Sequence, residues 1–315
     1  MICSFLYCIL TSSGFTLNPK VYGSCGIPAM FRILYENNDY CDHGSVVCKA
    51  FPVKMMPCRK SDMMLRRAKY LKMLWKGERV KYLTGVYWER GSAADINQDS
   101  LVLLQVLTAK GRVLMAAVCD GMGGLAQGEW ASGYVTKRLQ EWFYESLLRA
   151  VQKKKPYWVI RRSVDRLVYH MQEQIARYGG QEGIRLGTTM TVLVLWDKTY
   201  LLWHLGDSRA YWLRKDIVCM TKDHVKGINQ LTKCVGSFGY ERPDFKLGVL
   251  REGQGVLLCS DGFRHFAEES ELADVLRPGQ IQKEEQITRR LREIGDACMK
   301  RGERDNLSAV YVKVE

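Results

Sequence analysis

The chain has 315 residues, 47% of them hydrophobic and 26% charged, which excludes wholesale disorder and allows one large domain or two ordinary ones. No run reaches the roughly 18–20 uninterrupted apolar residues of a membrane span, and the apolar opening MICSFLYCIL lacks the basic start and cleavage pattern of a secretory signal. A cytoplasmic protein with no stable membrane insertion is expected. Eleven cysteines, an odd number, point to reduced thiols rather than a disulfide framework.

The net charge of +13 raises nucleic acid or acidic phosphate groups as partners, but it is unevenly placed. Residues 1–90 carry 14 Lys/Arg and 6 Asp/Glu, or +8, which leaves 33 minus 28, or +5, for the other 225. The surplus sits around MMLRRAKYLKMLWK, a basic helix expected over 63–80 whose charges read as a solvated face, not as a nucleic-acid contact.

The segment 1–62 looks unlike the rest. It holds six cysteines and four of the seven prolines without sustained periodicity, and Cys41, His43 and Cys48 match no zinc spacing. It reads as a poorly ordered or atypical extension, one that a start at Met63 or Met64 would remove. From Lys81 the text becomes regular. KYLTGVYWE alternates as a strand, and DSLVLLQVLT, a short AKG turn and RVLMAAVC form a hairpin of buried strands. Helical spacing covers 127–150 and 157–178. Strands return at TTMTVLVLW, TYLLWHLG (joined by Asp197-Lys198), SRAYWLR and DIVCM. An irregular basic stretch follows at 224–247, then the strand GVLLCS, helices near 269–276 and 282–300, and the closing strand LSAVYVKV. Strand runs broken by helix pairs predict an α+β domain over 81–315 with antiparallel sheets.

Aspartates recur at strand ends: Asp99 in NQDS, Asp120 in CDGMGG, Asp261 in CSDGF and Asp305 in RDNLS. One strand-end aspartate is ordinarily a turn or cap residue. Four that converge at one sheet edge would repel strongly, and a divalent cation relieves that repulsion. Oxygen donors without His or Cys favour Mg²⁺ or Mn²⁺ over Zn²⁺. Other chemistries fit poorly. GMGGLA resembles a dinucleotide loop, but no strand–helix alternation follows it. Gly128 is followed by Glu rather than the Lys of a phosphate-binding loop, Cys259 and Arg264 are one residue too close for a thiol phosphatase, and no His-Glu-x-x-His occurs.

In order along the chain stand NQD (Asn97–Asp99), DGMGG (Asp120–Gly124), GTT (Gly187–Thr189), GDSR (Gly206–Arg209), TKDH (Thr221–His224), SDG (Ser260–Gly262) and DN (Asp305–Asn306). This series resembles the metal-dependent serine/threonine protein phosphatases of type 2C, in their bacterial form. The resemblance implies a four-layer αββα sandwich, two mainly antiparallel sheets flanked by helix pairs. It implies two Mn²⁺ or Mg²⁺ ions, with room for a third, and hydrolysis of phosphoserine and phosphothreonine in proteins by a water the cations activate. Asp120 would bridge both ions, Gly121 would offer its carbonyl, Asp261 and Asp305 would bind the first ion, and Asp99 would orient water on the second. Asp120 and Asp261 are thus the catalytic candidates. Phosphorylated proteins and a cognate Ser/Thr kinase are the implied partners of a monomeric enzyme.

Three departures accompany the resemblance. Ala94 stands where the family presents a phosphate-gripping Arg, so Arg90 is the candidate substitute. Met122 stands where animal members carry a His. For an additional metal, Glu182 is the acidic residue near the GTT motif, at poor spacing. Asp207 and His224 read as loop-holding residues. The replacement at Ala94 also raises an alternative, a catalytically weakened module that binds phosphoproteins.

Overall fold

The computed structural model describes residues 32–34, 80–93, 95–122, 127–227, 230–237 and 239–315. The described residues belong to one compact unit, Met1–Asn37 with Val80–Glu315; the other, Asn38–Arg79, lies outside the described residues. So do the remainder of the 1–62 extension, the basic helix expected at 63–80 up to Arg79, and position 94.

Among the described residues the first elements are β1 (Arg32–Leu34), β2 (Tyr82–Glu89), β3 (Asp99–Thr108) and β4 (Gly111–Asp120). Helix α1 (Gly128–Trp142) continues through a π-turn at Phe143–Leu147 into one further turn, Leu148–Gln152. After α2 (Tyr157–Glu182) come β5 (Met190–Trp196), β6 (Thr199–Leu205), β7 (Arg209–Leu213) and β8 (Ile217–Cys219). A two-residue ribbon, β9 (Val225–Lys226) with β10 (Gln230–Leu231), precedes β11 (Asp244–Val249) and β12 (Gly255–Cys259). The short α3 (Asp261–Arg264), α4 (Glu269–Val275) and α5 (Glu284–Lys300) lead to β13 (Leu307–Val314).

The strands form two antiparallel sheets, ordered β1-β3-β4-β5-β6-β11 and β2-β13-β12-β7-β8. Near-continuous apolar runs make β3, β4, β5, β12 and β13, because both faces of each of these strands are covered. In β3, Val102, Leu104 and Val106 face a core shared with α1 and α2, whereas Leu101 and Leu103 face the second sheet. In β4 the split is the same: Val113, Met115 and Ala117 on one side, Leu114, Ala116 and Val118 on the other. The helices bury one stripe each, Ala131, Val135 and Leu139 on α1 and Ile160, Val164 and Met171 on α2, at the spacing a helix requires. The outer face of the second sheet (Leu257, Tyr311) is covered by Leu272 of α4 and by Ile287, Leu291 and Ile294 of α5. The expected αββα sandwich is therefore present.

The β5–β6 turn is also as expected. Trp196 pairs with Thr199, leaving Asp197-Lys198 as the turn. Asp197 adopts φ +50°, which aspartate tolerates, and its carboxylate accepts a bond from Arg112 N at 2.9 Å. Two strands depart from expectation. β1 lies in the extension read as lacking regular structure and pairs with β3. β11 lies in the stretch read as irregular and pairs with β6 along its length. β11 is an edge strand whose apolar Leu247 and Val249 are exposed, so backbone pairing holds it and no buried face imprints a period of two. Among the described residues no helix is long and apolar enough to cross a membrane.

Candidate active site

The carboxylates singled out in the sequence come from both sheets. In the first, Asp99 opens β3 and Asp120 closes β4, and the two are direct cross-strand partners. In the second, Asp261 follows β12 and Asp305 precedes β13, at the same end of a paired ladder in which Cys259 sits opposite Ala309. Hydrogen bonds tie the two ends together. Gln98 N donates to Asn306 Oδ1 at 2.8 Å, and Trp88 Nε1 donates to Asp99 O at 3.0 Å. The Asp120 backbone is held by the GTT motif: its N–H donates to Thr189 Oγ1 at 2.9 Å, and its carbonyl accepts from Thr188 Oγ1 and Thr189 N, both at 2.8 Å.

Two glycines permit this closeness. A Cβ on Gly121 would lie 2.4 Å from Gly128 O and 2.5 Å from Gln98 O. One on Gly262 would lie 2.3 Å from Asn306 O and 3.2 Å from Asp305 Cβ. The Asp-Gly pairs of the motifs thus bring backbone against backbone beside each acid.

The electrostatics show that the acids share one region. Burial pushes Asp99 up to about 7, and the charges of Asp261 and Asp305 add to the shift. The Ser308 and Ser260 hydroxyls act in the opposite direction, yet Asp99 Oδ2 is buried without a hydrogen-bond partner. Asp120, enclosed on most sides but still in partial contact with solvent, is held well above the usual carboxylate range by burial and then by Asp99, Asp261, Asp207 and Asp305. Asp305 is raised by burial and by Asp261.

Asp207 is a fifth member that the motif reading set aside as a loop-holding residue. Burial and the charge of Asp261 raise it to about 6, while Arg264 pulls it down. Arg264 also donates from Nη2 to the Asp207 carbonyl at 3.1 Å. The signal was available: Asp207 follows the strand TYLLWHLG, so it satisfies the strand-end criterion that selected the other four. Glu182, at the end of α2, is in none of the shifts just described. His224 accepts from Gly206 N at 3.1 Å, lies 3.3 Å from Asp244 Oδ2 and stacks on His204 at 4.9 Å, which holds the turn that carries Asp207. Arg90 is exposed and donates from Nη1 to Asp95 O at 2.7 Å, bracing the loop between β2 and β3.

The donor set fits a hard divalent cation. An orphaned buried carboxylate oxygen and acids that raise one another lack positive charge, and carboxylate oxygen is what Mg²⁺ and Mn²⁺ prefer. Among the described residues no three His, Cys, Asp or Glu side chains close around a single point. The cluster is open, with its acids contributed from the ends of two sheets.

Residues 91–301 match the family model described as Protein phosphatase 2C. The chain belongs to the protein phosphatase 2C family. It is accordingly a protein-serine/threonine phosphatase, a metal-dependent phosphoric monoester hydrolase. It is 26% identical to protein phosphatase PhpP of Streptococcus pneumoniae over 183 residues, 51% of this chain and 72% of that protein. The Streptococcus agalactiae serine/threonine phosphatase structure superposes with a TM-score of 0.64 at 21% identity, covering 75% of this chain and all of that one. The catalytic domain of the serine/threonine protein phosphatase PstP, crystallised with two manganese ions, superposes with a TM-score of 0.60 at 24% identity, covering 75% and 99%. In this protein phosphatase 2C the family match stops short of Asp305. The antiparallel β12–β13 pair is what brings that residue to Asp261.

Proposed function

We propose that this chain hydrolyses phosphoserine and phosphothreonine in proteins with two Mg²⁺ or Mn²⁺ ions, reversing a Ser/Thr kinase. The observation that supports it most is the cluster of Asp99, Asp120, Asp261 and Asp305, in which burial and like charge leave acids short of a cation. The manganese pair of PstP supports the ion count. In this reading Asp120, Asp261 and Asp305 would hold the ions together with the Gly121 carbonyl, and Asp99 would orient water beside them. When bound, such a pair supplies a water of lowered pKa and neutralises charge on the phosphoryl oxygens. Thr188 and Thr189 keep the Asp120 backbone from shifting as charge develops. Met122 has no proton to give, so water or a neighbouring group would protonate the departing alkoxide.

The test is hydrolysis of a phosphothreonine peptide with Mn²⁺, with and without excess chelator. Phosphate release that depends on Mn²⁺ and stops in chelator is expected. Full turnover in chelator would overturn the metal-assisted reading, and peptide binding without turnover would establish a binding module instead.

Arg90 is proposed to hold the substrate phosphate. Only part of its guanidinium is committed, to Asp95 O, and the residue is exposed beside the site. A charge-assisted contact of about 1.5–3 kcal/mol corresponds to about a ten- to hundredfold change in binding. Arg90→Ala is therefore expected to raise KM by at least about tenfold and change kcat less. An unchanged KM would remove Arg90 from the site.

A further inference from the structure

On the outer face of α2, away from the carboxylate cluster, a cavity of about 260 Å³ is lined by Arg162, Asp165, Arg166, Tyr169, Tyr240 and Arg242 among others. It is smaller than a drug-sized ligand site but large enough for one or two acidic side chains or a phosphate. Arg162 and Arg166 are one helical turn apart and exposed, and neither has an acidic partner among the described residues. Like charges at that spacing destabilise a helix slightly, so the pair does not support the helix itself. Asp165 faces Arg242 only loosely, Nε to Oδ2 at 3.7 Å, and its Oδ1 is buried without a partner. Glu173 faces the Tyr169 hydroxyl and raises its pKa. The Tyr169 and Tyr240 rings meet edge to face at 5.2 Å and form an exposed wall.

The chain that forms this cavity also touches the site. Ser237 Oγ lies 3.8 Å from Met122 Sδ, two residues past Asp120, and donates to Leu186 O at 2.8 Å. Gly236 is clamped to α2 by a reciprocal pair with Gln172, at 2.7 and 2.8 Å. Tyr240 then bonds Asp165 O at 3.4 Å. Arg242 is five residues past Ser237, at most about 17 Å of extended chain. An extended substrate segment of similar length reaches from one to the other.

We propose that the cavity receives the acidic or phosphorylated flank of a phosphoprotein substrate, four to six residues from the target phosphoserine or phosphothreonine (about 3.4 Å each). The inference rests on the reading of the carboxylate cluster as a phosphatase site. A single small cavity with one aromatic wall suits a peptide side chain better than a nucleic-acid strand, which needs a basic track with repeated stacking platforms.

The test uses the full chain and two phosphothreonine peptides, one with a second phosphothreonine or an Asp-Glu pair about five residues from the target (about 17 Å) and one with Gln there. The wild type is expected to prefer the acidic peptide about five- to tenfold in kcat/KM, through KM, with the preference fading in high salt. Arg162→Gln with Arg166→Gln should abolish the preference and leave the Gln peptide's rate unchanged; Arg162→Glu with Arg166→Glu should reverse it. No preference in the wild type, or the same preference in both variants, would overturn the proposal. Binding of a labelled acidic peptide that lacks the target phosphate separates the two readings. If neither peptide is hydrolysed, the phosphatase reading fails, while binding lost in the Gln variant still upholds the cavity and absent binding overturns it. Tighter binding of oligo-dT that is lost in the same variant would reassign the surface to nucleic acid and overturn the proposal.

Discussion

Asp120→Asn is expected to lower phosphopeptide turnover by about a thousandfold or more while making the metal-free protein more stable. The first effect follows from losing a charged oxygen that an amide cannot replace at a dication; several kcal/mol of transition-state stabilisation is about three decades of rate. The second follows from the sign of the pKa shifts. Asp99, Asp120 and Asp305 all titrate above the usual carboxylate range in the folded protein. The folded state therefore holds protons that the unfolded chain releases near pH 4. In chelator, this contribution to stability is complete below about pH 4 and is lost as pH rises through the folded values, Asp99 near 7. Asparagine at 120 removes a carboxyl that the fold holds above its ordinary range, so at pH 8 in chelator the variant should melt above the wild type. Excess Mn²⁺ should reverse that order, because ligand binding to the native state stabilises only the chain that can hold it. Retained turnover would take Asp120 out of the catalytic set. A wild-type melting temperature that stays flat from pH 4 to 8 in chelator would deny the repulsion.

Gly262→Ala should damage both stability and catalysis. The added methyl would meet Asn306 O at 2.3 Å, and neither side is free to withdraw. Ser260 N bonds Ser308 O at 2.9 Å, Ser308 N bonds Ser260 Oγ at 3.0 Å, and the Gly262 N–H is bound to Asp261 Oδ1 at 2.7 Å. Overpacking of this kind costs about 1–3 kcal/mol, or a melting temperature lower by about 3–10 °C in a domain of this size. The strain would also separate Asp261 from Asp305, so if the two are the ligands proposed above, kcat should fall at least about tenfold. Gly180→Ala is the control. That position is exposed on α2 with nothing within 4 Å of the added carbon, and it should gain about 0.5–1 kcal/mol of helix stability with unchanged kcat. Equal behaviour of the two variants would show that the Gly262 contact is not close in solution.

Much of this protein was already determined by its sequence. The apolar runs of β3, β4, β5 and β12 are legible because burial on two faces leaves no polar positions, and the stripes of α1, α2 and α5 because one buried face forces a 3.6-residue period. Asp99, Asp120, Asp261 and Asp305 stand out because each lies at one end of a legible strand. What sequence could not yield is anything held by backbone pairing or by distance. β11 buries too little to carry a pattern, so only its ladder with β6 reveals it. Asp207 looks like a turn residue until folding buries the β6–β7 turn and sets it beside Asp261, where burial and then the Asp261 charge raise its pKa. The cavity at Arg162 and Arg166 lay wholly beyond the motifs. Its helix face and the Tyr240–Arg242 segment are some 75 residues apart in sequence, and only folding brings them together.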